Sequence, residues 1–250
     1  MGLILDYPRV LFLIAFVVLM LAALAGAAAG RRRQLTPEER SDFGVVQGAT
    51  LTLLGLIIGF TFSMAISRYD QRKTYEEAEA NAIGTEYVRA DVLPPADAAK
   101  VRALLKEYTD LRIRFYTTRN ESAIAAINRE TARVQDELWA AVEQPAMAQQ
   151  TPMVALALAG MNDVLNSQGY TQAAWWNRIP PAAWALLFVI AIFSSAMVGY
   201  GAHYMRGKLI IILPLLVSVS FFLIADIDSP RRGVIQVRPQ NLEALRAGLK

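Results

Sequence analysis

The chain has 250 residues, of which 54% are hydrophobic, and its formal net charge is only +3. It contains no cysteine and a single histidine. This composition excludes disulfides, thiolate metal sites and cysteine nucleophiles, and it excludes a multi-histidine metal site within one chain. The arginines cluster beside apolar runs, where lipid phosphate is the nearer anion. We therefore expect the lipid bilayer, and not a nucleic acid, as a partner.

The hydrophobic residues are concentrated in four runs, each about long enough to cross a hydrocarbon core of ~30 Å. The runs cover residues 10–30, 43–66, 182–204 and 209–225. A charged, helix-prone block separates the first two runs from the last two. This 2+2 layout predicts an all-α integral membrane protein with four transmembrane helices and one extramembrane helical domain. The expected boundaries are transmembrane segments within 1–66 and 179–228, the helical domain at 67–178, and a C-terminal tail at 229–250.

The first run has the small-residue ending of a signal peptide, Ala27-Ala28-Ala29. Its length, the acidic Asp6 before it and the Arg31-Arg32-Arg33 cluster directly after it are not typical of a cleaved segment. These features favour a retained membrane helix. Its uniformly apolar character indicates a lipid-facing anchor.

The second run has two distinct faces at 100° per residue. Four glycines lie within about 60° of one another, which predicts a surface for close helix packing. They are Gly44, Gly48, Gly55 and Gly59. A polar face elsewhere on the helix carries Gln47, Thr50 and Thr61. Two interpretations of this polar face stay open, contact with a pore or hydrogen bonding to neighbouring helices, the latter being the common role of hydroxyls in membranes.

No helix breaker follows Ile66, so the second helix is predicted to continue to Leu93 and to end at Pro94-Pro95. Five charged residues on this continuation lie within about 80° of one another. They are Arg68, Arg72, Glu76, Glu79 and Glu86. In a ring-shaped oligomer this charged stripe could line a neck next to the membrane, whereas in a monomer it would be a solvated face.

Three further helices are predicted in the charged block. Asp97 and Asn120 are candidate N-caps, and Thr151-Pro152 is a cap followed by a first-turn proline. Apolar residues recur at helical spacing after Asn120, which predicts a core face. The sequence has no alternating strand pattern, nucleotide-binding loop, zinc-protease motif or hydrolase nucleophile motif. We therefore predict neither enzyme activity nor a cofactor.

The fourth run ends in Asp226-Ile227-Asp228, followed by Ser-Pro and two arginines. Aspartates at a helix C-terminus oppose the helix dipole, so they need compensation by nearby positive charge. They could form an acidic ring or cation site at a pore mouth, or simply a turn that ends the helix. The second interpretation is the simpler one.

Several of these segments resemble one known family, the bestrophin-like domain proteins of bacterial membranes. The resemblance begins at Gly59–Arg72, which includes Arg68-Tyr69-Asp70-Gln71-Arg72. It continues through Glu79–Asp91, Asn162–Asn166, Ile179-Pro180 and Asp226–Val237. Calcium-binding bestrophins carry a dense acidic cluster after the last membrane helix. Only Asp226 and Asp228 stand in that region here, so no metal site is expected.

Bestrophins are pentameric anion channels, and the resemblance therefore implies a homo-oligomer, possibly a pentamer, that could conduct small inorganic ions. It places a multi-pass protein in the bacterial inner membrane. In this hypothesis Gln47, Thr50 and Thr61 face the pore. The charged stripe, with Asp226 and Asp228, then forms the neck or mouth. The alternative function is a non-conducting membrane scaffold or sensor whose helical domain binds a partner protein.

The membrane orientation follows only weakly from charge. Four spans place both termini and the helical domain on one side of the membrane. Basic residues near the spans are nearly balanced between the two sides, with Arg33, Arg206 and Lys208 among those opposite the domain. The resemblance to bestrophins favours a cytoplasmic helical domain.

Overall fold

A computed structural model describes residues 6–32, 35–202 and 209–249, and within these ranges the chain is helical with no strand. Eight α-helices lie in these ranges: α1 (Pro8–Arg32), α2 (Pro37–Arg89), α3 (Pro95–Thr117), α4 (Glu121–Ala148), α5 (Pro152–Trp176), α6 (Pro181–Gly201), α7 (Ile212–Asp228) and α8 (Gln240–Gly248). Short 3-10 turns at Ala90–Val92 and Leu209–Ile211 follow α2 and precede α7. Arg33, His203, Arg206, Lys208 and the end of the third predicted run lie outside the described residues.

Four helical segments of the described chain are long and apolar enough to cross a membrane. They comprise α1, the first part of α2, α6 and α7 with its preceding turn. The predicted all-α membrane protein with a 2+2 layout is confirmed.

Helix α2 is 53 residues long, about 80 Å at 1.5 Å per residue. It begins after a reciprocal cap, in which Thr36 and Glu39 each accept a hydrogen bond from the other's backbone N–H. It passes through Ile66 without a break, as predicted, and gives way to a 3-10 turn before Pro94. Pro94 has an extended backbone and no N–H to donate, which explains the end of the helix.

The chain divides into two compact units. The membrane unit contains residues 1–68 and 178–236, and the helical domain contains 69–177 and 237–250. Helix α2 contributes residues to both. The expected C-terminal tail is divided between the units, because α8 belongs to the helical domain and Leu242 is fully buried there.

The helical domain has a continuous apolar core from α2, α3, α4, α5 and α8. The predicted core face of α4 is buried at Ile127, Val134, Leu138 and Val142. The predicted caps Asn120 and Thr151 accept backbone hydrogen bonds at the starts of α4 and α5. The third candidate cap, Asp97, is wrong, because α3 begins at Pro95 and Asp97 lies within its first turn. Aromatic rings close one side of this core, where Phe115 and Trp175 have centroids 5.0 Å apart.

Helices α1 and α6 pack closely through small residues in the membrane unit. A Cβ atom added at Gly26 would lie 1.9 Å from the carbonyl oxygen of Ala196, and one added at Gly199 would lie 1.9 Å from that of Ala23. Leu11, Ala15 and Leu19 of α1 are buried on the same side. The first helix is therefore only partly lipid-facing, because one of its faces is occupied by other helices.

This close approach predicts that Gly26→Ala destabilises the protein. The added methyl group overlaps backbone atoms of α6, so the helices must move apart, at a cost of about 1–3 kcal/mol. Thermal unfolding in detergent measures the loss. The control is Gly169→Ala on α5, where no described atom lies within 4 Å of the added Cβ. Equal melting temperatures for the two variants would contradict the packing.

Candidate functional site

One face of α2 carries nearly all the polar residues that the sequence singled out. Gln47, Thr50 and Thr61 share this face with the charged stripe, within about 80° at 100° per residue. The two sets are therefore one continuous polar face of the helix. Burial within each unit shows that this face points into the protein.

Four residues of the charged stripe are almost fully buried in the helical domain. Arg72 and Glu76 are 1% exposed, and Glu79 and Glu86 are 0% exposed. This burial contradicts the expectation of a water-facing stripe, whether as a solvated surface or as the lining of a neck. Arg72, Glu76 and Glu79 face inward because each has specific partners on other helices.

Glu79 forms a buried ion pair with Arg112 of α3. Its second oxygen accepts a hydrogen bond of 3.1 Å from the Thr171 hydroxyl of α5. The Arg112 guanidinium lies over the Phe115 ring, 4.4 Å from its centroid. Burial and the Glu79 carboxylate raise the pKa of the neighbouring Tyr116, so this phenol stays a neutral donor. Glu79 thus joins three helices through one carboxylate.

Glu76 and Arg72 bind helix ends. One Glu76 oxygen accepts hydrogen bonds of 3.0 Å from the backbone N–H groups of Asn241 and Leu242, and the other accepts one of 2.6 Å from the Asn241 amide. Glu76 thereby caps the N-terminus of α8. The Arg72 Nε donates to the carbonyl oxygen of Ala174 in the last turn of α5. Both charges have the sign that stabilises the helix end they contact.

Glu86 differs from the other charged residues of the stripe. Both of its carboxylate oxygens are buried, and neither accepts a hydrogen bond from the described residues. One of them lies 2.1 Å from where a Cβ of Gly160 would be, so a side chain at position 160 would displace the Glu86 carboxyl. Burial raises the pKa of Glu86 to about 8; Arg89 opposes the rise and Asp163 adds to it. At pH 7 the carboxyl is mostly neutral.

In the membrane unit, the polar face of α2 is directed toward the unit's own interior. Thr61 is 5% exposed, and its hydroxyl donates to the carbonyl oxygen of Ile57. Thr50 bonds in the same way to Val46. Gln47 is half-buried next to Gly201 of α6. The burial of Thr61 within its own chain argues against contact with a pore. The alternative, hydrogen bonding to neighbouring helices, is not seen for these hydroxyls, because Thr50 and Thr61 both bond to carbonyls of α2 itself.

The four glycines of α2 lie on a face left open by the chain. No described atom lies within 4 Å of a Cβ added at Gly44, Gly48, Gly55 or Gly59. Next to them, Val45 is 71% and Phe60 is 64% exposed. The predicted close packing at these glycines thus has no partner within the described parts of one chain. The exposed face beside them is mainly apolar and also carries the hydroxyls of Thr52 and Ser63.

Asp226 and Asp228 are structural residues at the end of α7, each 2% exposed. Asp226 accepts hydrogen bonds of 2.7 and 2.8 Å from the backbone N–H groups of Val234 and Ile235. Asp228 pairs with Arg178 at 2.9 Å and lies 3.8 Å from Arg68. These contacts favour the helix-ending turn over an acidic ring. Among the described residues, no cluster of three potential ligands could hold a metal ion.

Several partners in these networks carry no sequence signal. Arg112 lies 33 residues from Glu79, and Asn241 lies 165 residues from Glu76. Asp6, which pairs with Arg178 at 2.8 Å, is separated from it by 172 residues. Helical periodicity identifies residues that share a face and contains no information on such distant contacts.

The chain matches one known protein family over most of its length. The family model of the bestrophin-like domain matches residues 10–242. None of the curated proteins matches the chain.

The fold is similar to solved structures of a bacterial bestrophin homologue from Klebsiella pneumoniae. One variant of that protein has a TM-score of 0.68 and 13% identity, with 95% of each chain covered. A second variant has a TM-score of 0.68 and 12% identity, covering 95% of this chain and 97% of that one. A structure described only as a membrane protein variant gives 0.66 and 13%, with 95% and 97% covered. At these identities the likeness shows the fold alone.

The Glu79–Arg112 pair predicts a large loss of stability when one partner is removed. Arg112→Ala leaves Glu79 buried without its counter-charge, and we expect a loss of about 3–5 kcal/mol in the free energy of unfolding. Denaturant titration of the full chain in detergent measures it. The matched control is Arg246→Ala, which breaks the exposed pair with Asp110 in the same domain and should have a much smaller effect. If Arg112→Ala lost no more unfolding free energy than Arg246→Ala, the buried pair would contribute no more to stability than the exposed one.

The Glu76 cap predicts a local effect at α8. Glu76→Ala removes three hydrogen bonds to Asn241 and Leu242, so α8 should open more often while α3 and α4 stay protected. Hydrogen exchange resolved by peptide measures this difference. Glu77→Ala, one residue along on the exposed side of α2, is the control. Unchanged exchange at residues 240–248 in the Glu76 variant would show that the cap does not hold α8.

Proposed function

This chain belongs to the bestrophin-like family, and we propose that it forms a homo-oligomeric ion channel in the bacterial inner membrane, with its helical domain in the cytoplasm. The observation that carries the proposal is the outer face of α2. In one chain this face exposes Val45, Leu53, Leu56, Phe60 and Met64 beside the four open glycines. A membrane helix with such a face is suited to contact further copies of itself.

The glycines favour a protein partner over lipid. Glycine weakens a helix by about 1 kcal/mol relative to alanine, and lipid offers no compensation for it. Small residues in membrane helices allow another backbone to approach closely. The glycine face, Gly44 to Gly59, is therefore the proposed contact between neighbouring copies. The family resemblance supports a closed ring, for which five copies is the proposed number.

The conducting path is assigned to the exposed apolar residues of α2. Phe60 is the largest of them and extends from the face adjoining the glycines. Apolar rings can gate a pore by excluding water, so Phe60 is the proposed constriction. Gln47, Thr50 and Thr61 are not assigned to the path, because they face the interior of their own unit. Arg72, Glu76 and Glu79 of the buried stripe are likewise assigned to structure, because each has a partner within the helical domain.

Ion flux through purified protein in liposomes, with the mass of the same sample in detergent, tests this function. The expected result is a closed oligomer that passes chloride or a monovalent cation. Gly55→Leu should reduce flux to background and reduce the oligomer mass. No described atom of the same chain lies within 4 Å of a Cβ at this position. A loss of flux or of oligomer mass would therefore come from contacts between copies. Gly169→Leu, at an equally open glycine of the helical domain, is the control and should keep both properties.

Phe60→Ala distinguishes a role of Phe60 in the pore constriction from a role in oligomer assembly. We expect it to keep the oligomer mass and to raise the flux, because a smaller ring excludes less water. A monomer or dimer that is tight to ions would contradict the channel. That result would favour the second function, a membrane scaffold or sensor whose helical domain binds a partner protein.

A further inference from the structure

The helical domain contains an open groove between α2 and α8 with a volume of about 640 Å³. Its polar lining comes from Asn81, Thr85 and Arg89 of α2 and from Asn241 of α8. Val88 and Leu245 provide most of the apolar wall. A groove of this size, with a few polar groups on an apolar wall, has the character of a small-molecule site.

The walls of this groove are fixed by contacts already described. Glu76 holds the start of α8, and Arg246 pairs with Asp110 near its end. Between them, a Cβ added at Gly84 would lie 3.1 Å from the Leu245 side chain, so the two helices approach closely there. The groove is therefore preformed, which reduces the ordering that a ligand must impose.

Among the described residues that line the groove, Arg89 is the one with a charge. It is half-buried, and within residues 6–32, 35–202 and 209–249 it makes neither a hydrogen bond nor an ion pair. A guanidinium beside amide and hydroxyl groups is well suited to bind a carboxylate with paired hydrogen bonds.

Glu86 is not among the residues that line the groove, but its side chain lies close to that of Arg89. Both side chains meet at Gly160 of α5, where an added Cβ would lie 2.1 Å from a Glu86 oxygen and 2.6 Å from an Arg89 nitrogen. A buried carboxyl with no hydrogen bond from the described residues is costly, and the fold gives it no structural role. Its position beside Arg89, which lines the groove, points to a functional one.

We propose that this groove binds a small organic carboxylate. The ligand's carboxylate pairs with Arg89 and the neighbouring amides, and its hydrocarbon part lies against Val88 and Leu245. Glu86 acts as a proton-dependent modulator of Arg89. The site goes beyond the proposed channel function, since binding at the groove does not require conduction.

The linkage to pH follows from the groups around Glu86. Arg89 on its own helix and Asp163 on α5 are the charged groups that act on its carboxyl, and burial raises its pKa to about 8. Below this value Glu86 is neutral, and the Arg89 charge is available to the ligand. Above it, a negative charge beside Arg89 repels the carboxylate. Affinity should therefore fall as the pH rises through about 8.

Calorimetric titration of the assembled protein in lipid nanodiscs tests the site, with hexanoate as probe and neutral hexanamide as control ligand. We expect saturable binding of hexanoate that is roughly three- to tenfold weaker at about pH 9 than at about pH 6.5. Arg89→Gln should abolish binding, while Arg129→Gln, on the exposed side of α4, should leave it unchanged. Glu86→Gln should keep binding and remove its pH dependence.

A second variant tests the groove without changing Arg89, so that the test does not depend on the folding of Arg89→Gln. Val88 is 66% exposed, so Val88→Trp fills the groove without disturbing the core and should also abolish binding. The proposal is overturned by equal binding of hexanamide, by unchanged affinity in Arg89→Gln or Val88→Trp, or by no saturable binding up to about 10 mM. Because the readout is binding, failure here leaves the flux result intact.

Discussion

The buried pair of Glu79 and Arg112 is the constraint on which the helical domain depends. Neither charge is stable alone in an apolar interior, since desolvation of one ion costs several kcal/mol. With Thr171 as a third partner, the pair joins α2, α3 and α5 in a single register. A shift of α2 by one residue would turn Glu79 away from Arg112 by about 100° and leave both charges unpaired. The surrounding apolar core allows many arrangements, whereas this pair allows one.

Buried charges also have specific partners elsewhere on the inner face of α2 and at the end of α7. Arg72 contacts the C-terminal turn of α5, Glu76 caps α8, and Asp226 binds two backbone N–H groups. Each charge is satisfied within its own unit. Since the charged residues are used inside, the outer face of the membrane part of α2 exposes apolar residues, glycines and the hydroxyls of Thr52 and Ser63. This division explains why the proposed contact between copies lies at the glycines and not at the charges.

Glu86 is the exception within this stripe, because it is as deeply buried as Glu79 and yet accepts no hydrogen bond from the described residues. Proteins that satisfy their buried polar groups elsewhere often leave such exceptions at functional sites. Its neighbour Arg89 faces a groove whose walls are held by Glu76 and by the Arg246–Asp110 pair. The residues that stabilise the fold therefore also shape the groove that Arg89 lines beside the unsatisfied Glu86.

The sequence by itself determined the local features. The four spans, the uninterrupted α2, its end at Pro94-Pro95, the caps at Asn120 and Thr151 and the core face of α4 all depend on residues within a few turns of each other. It also identified the two stripes of α2 as shared faces. Only the tertiary structure decided which way those faces point, because periodicity fixes the angle between residues and not the position of their neighbours. Arg112, Asn241 and Asp6 reach their partners across 33 to 172 residues, and such contacts exist only once the helices have packed.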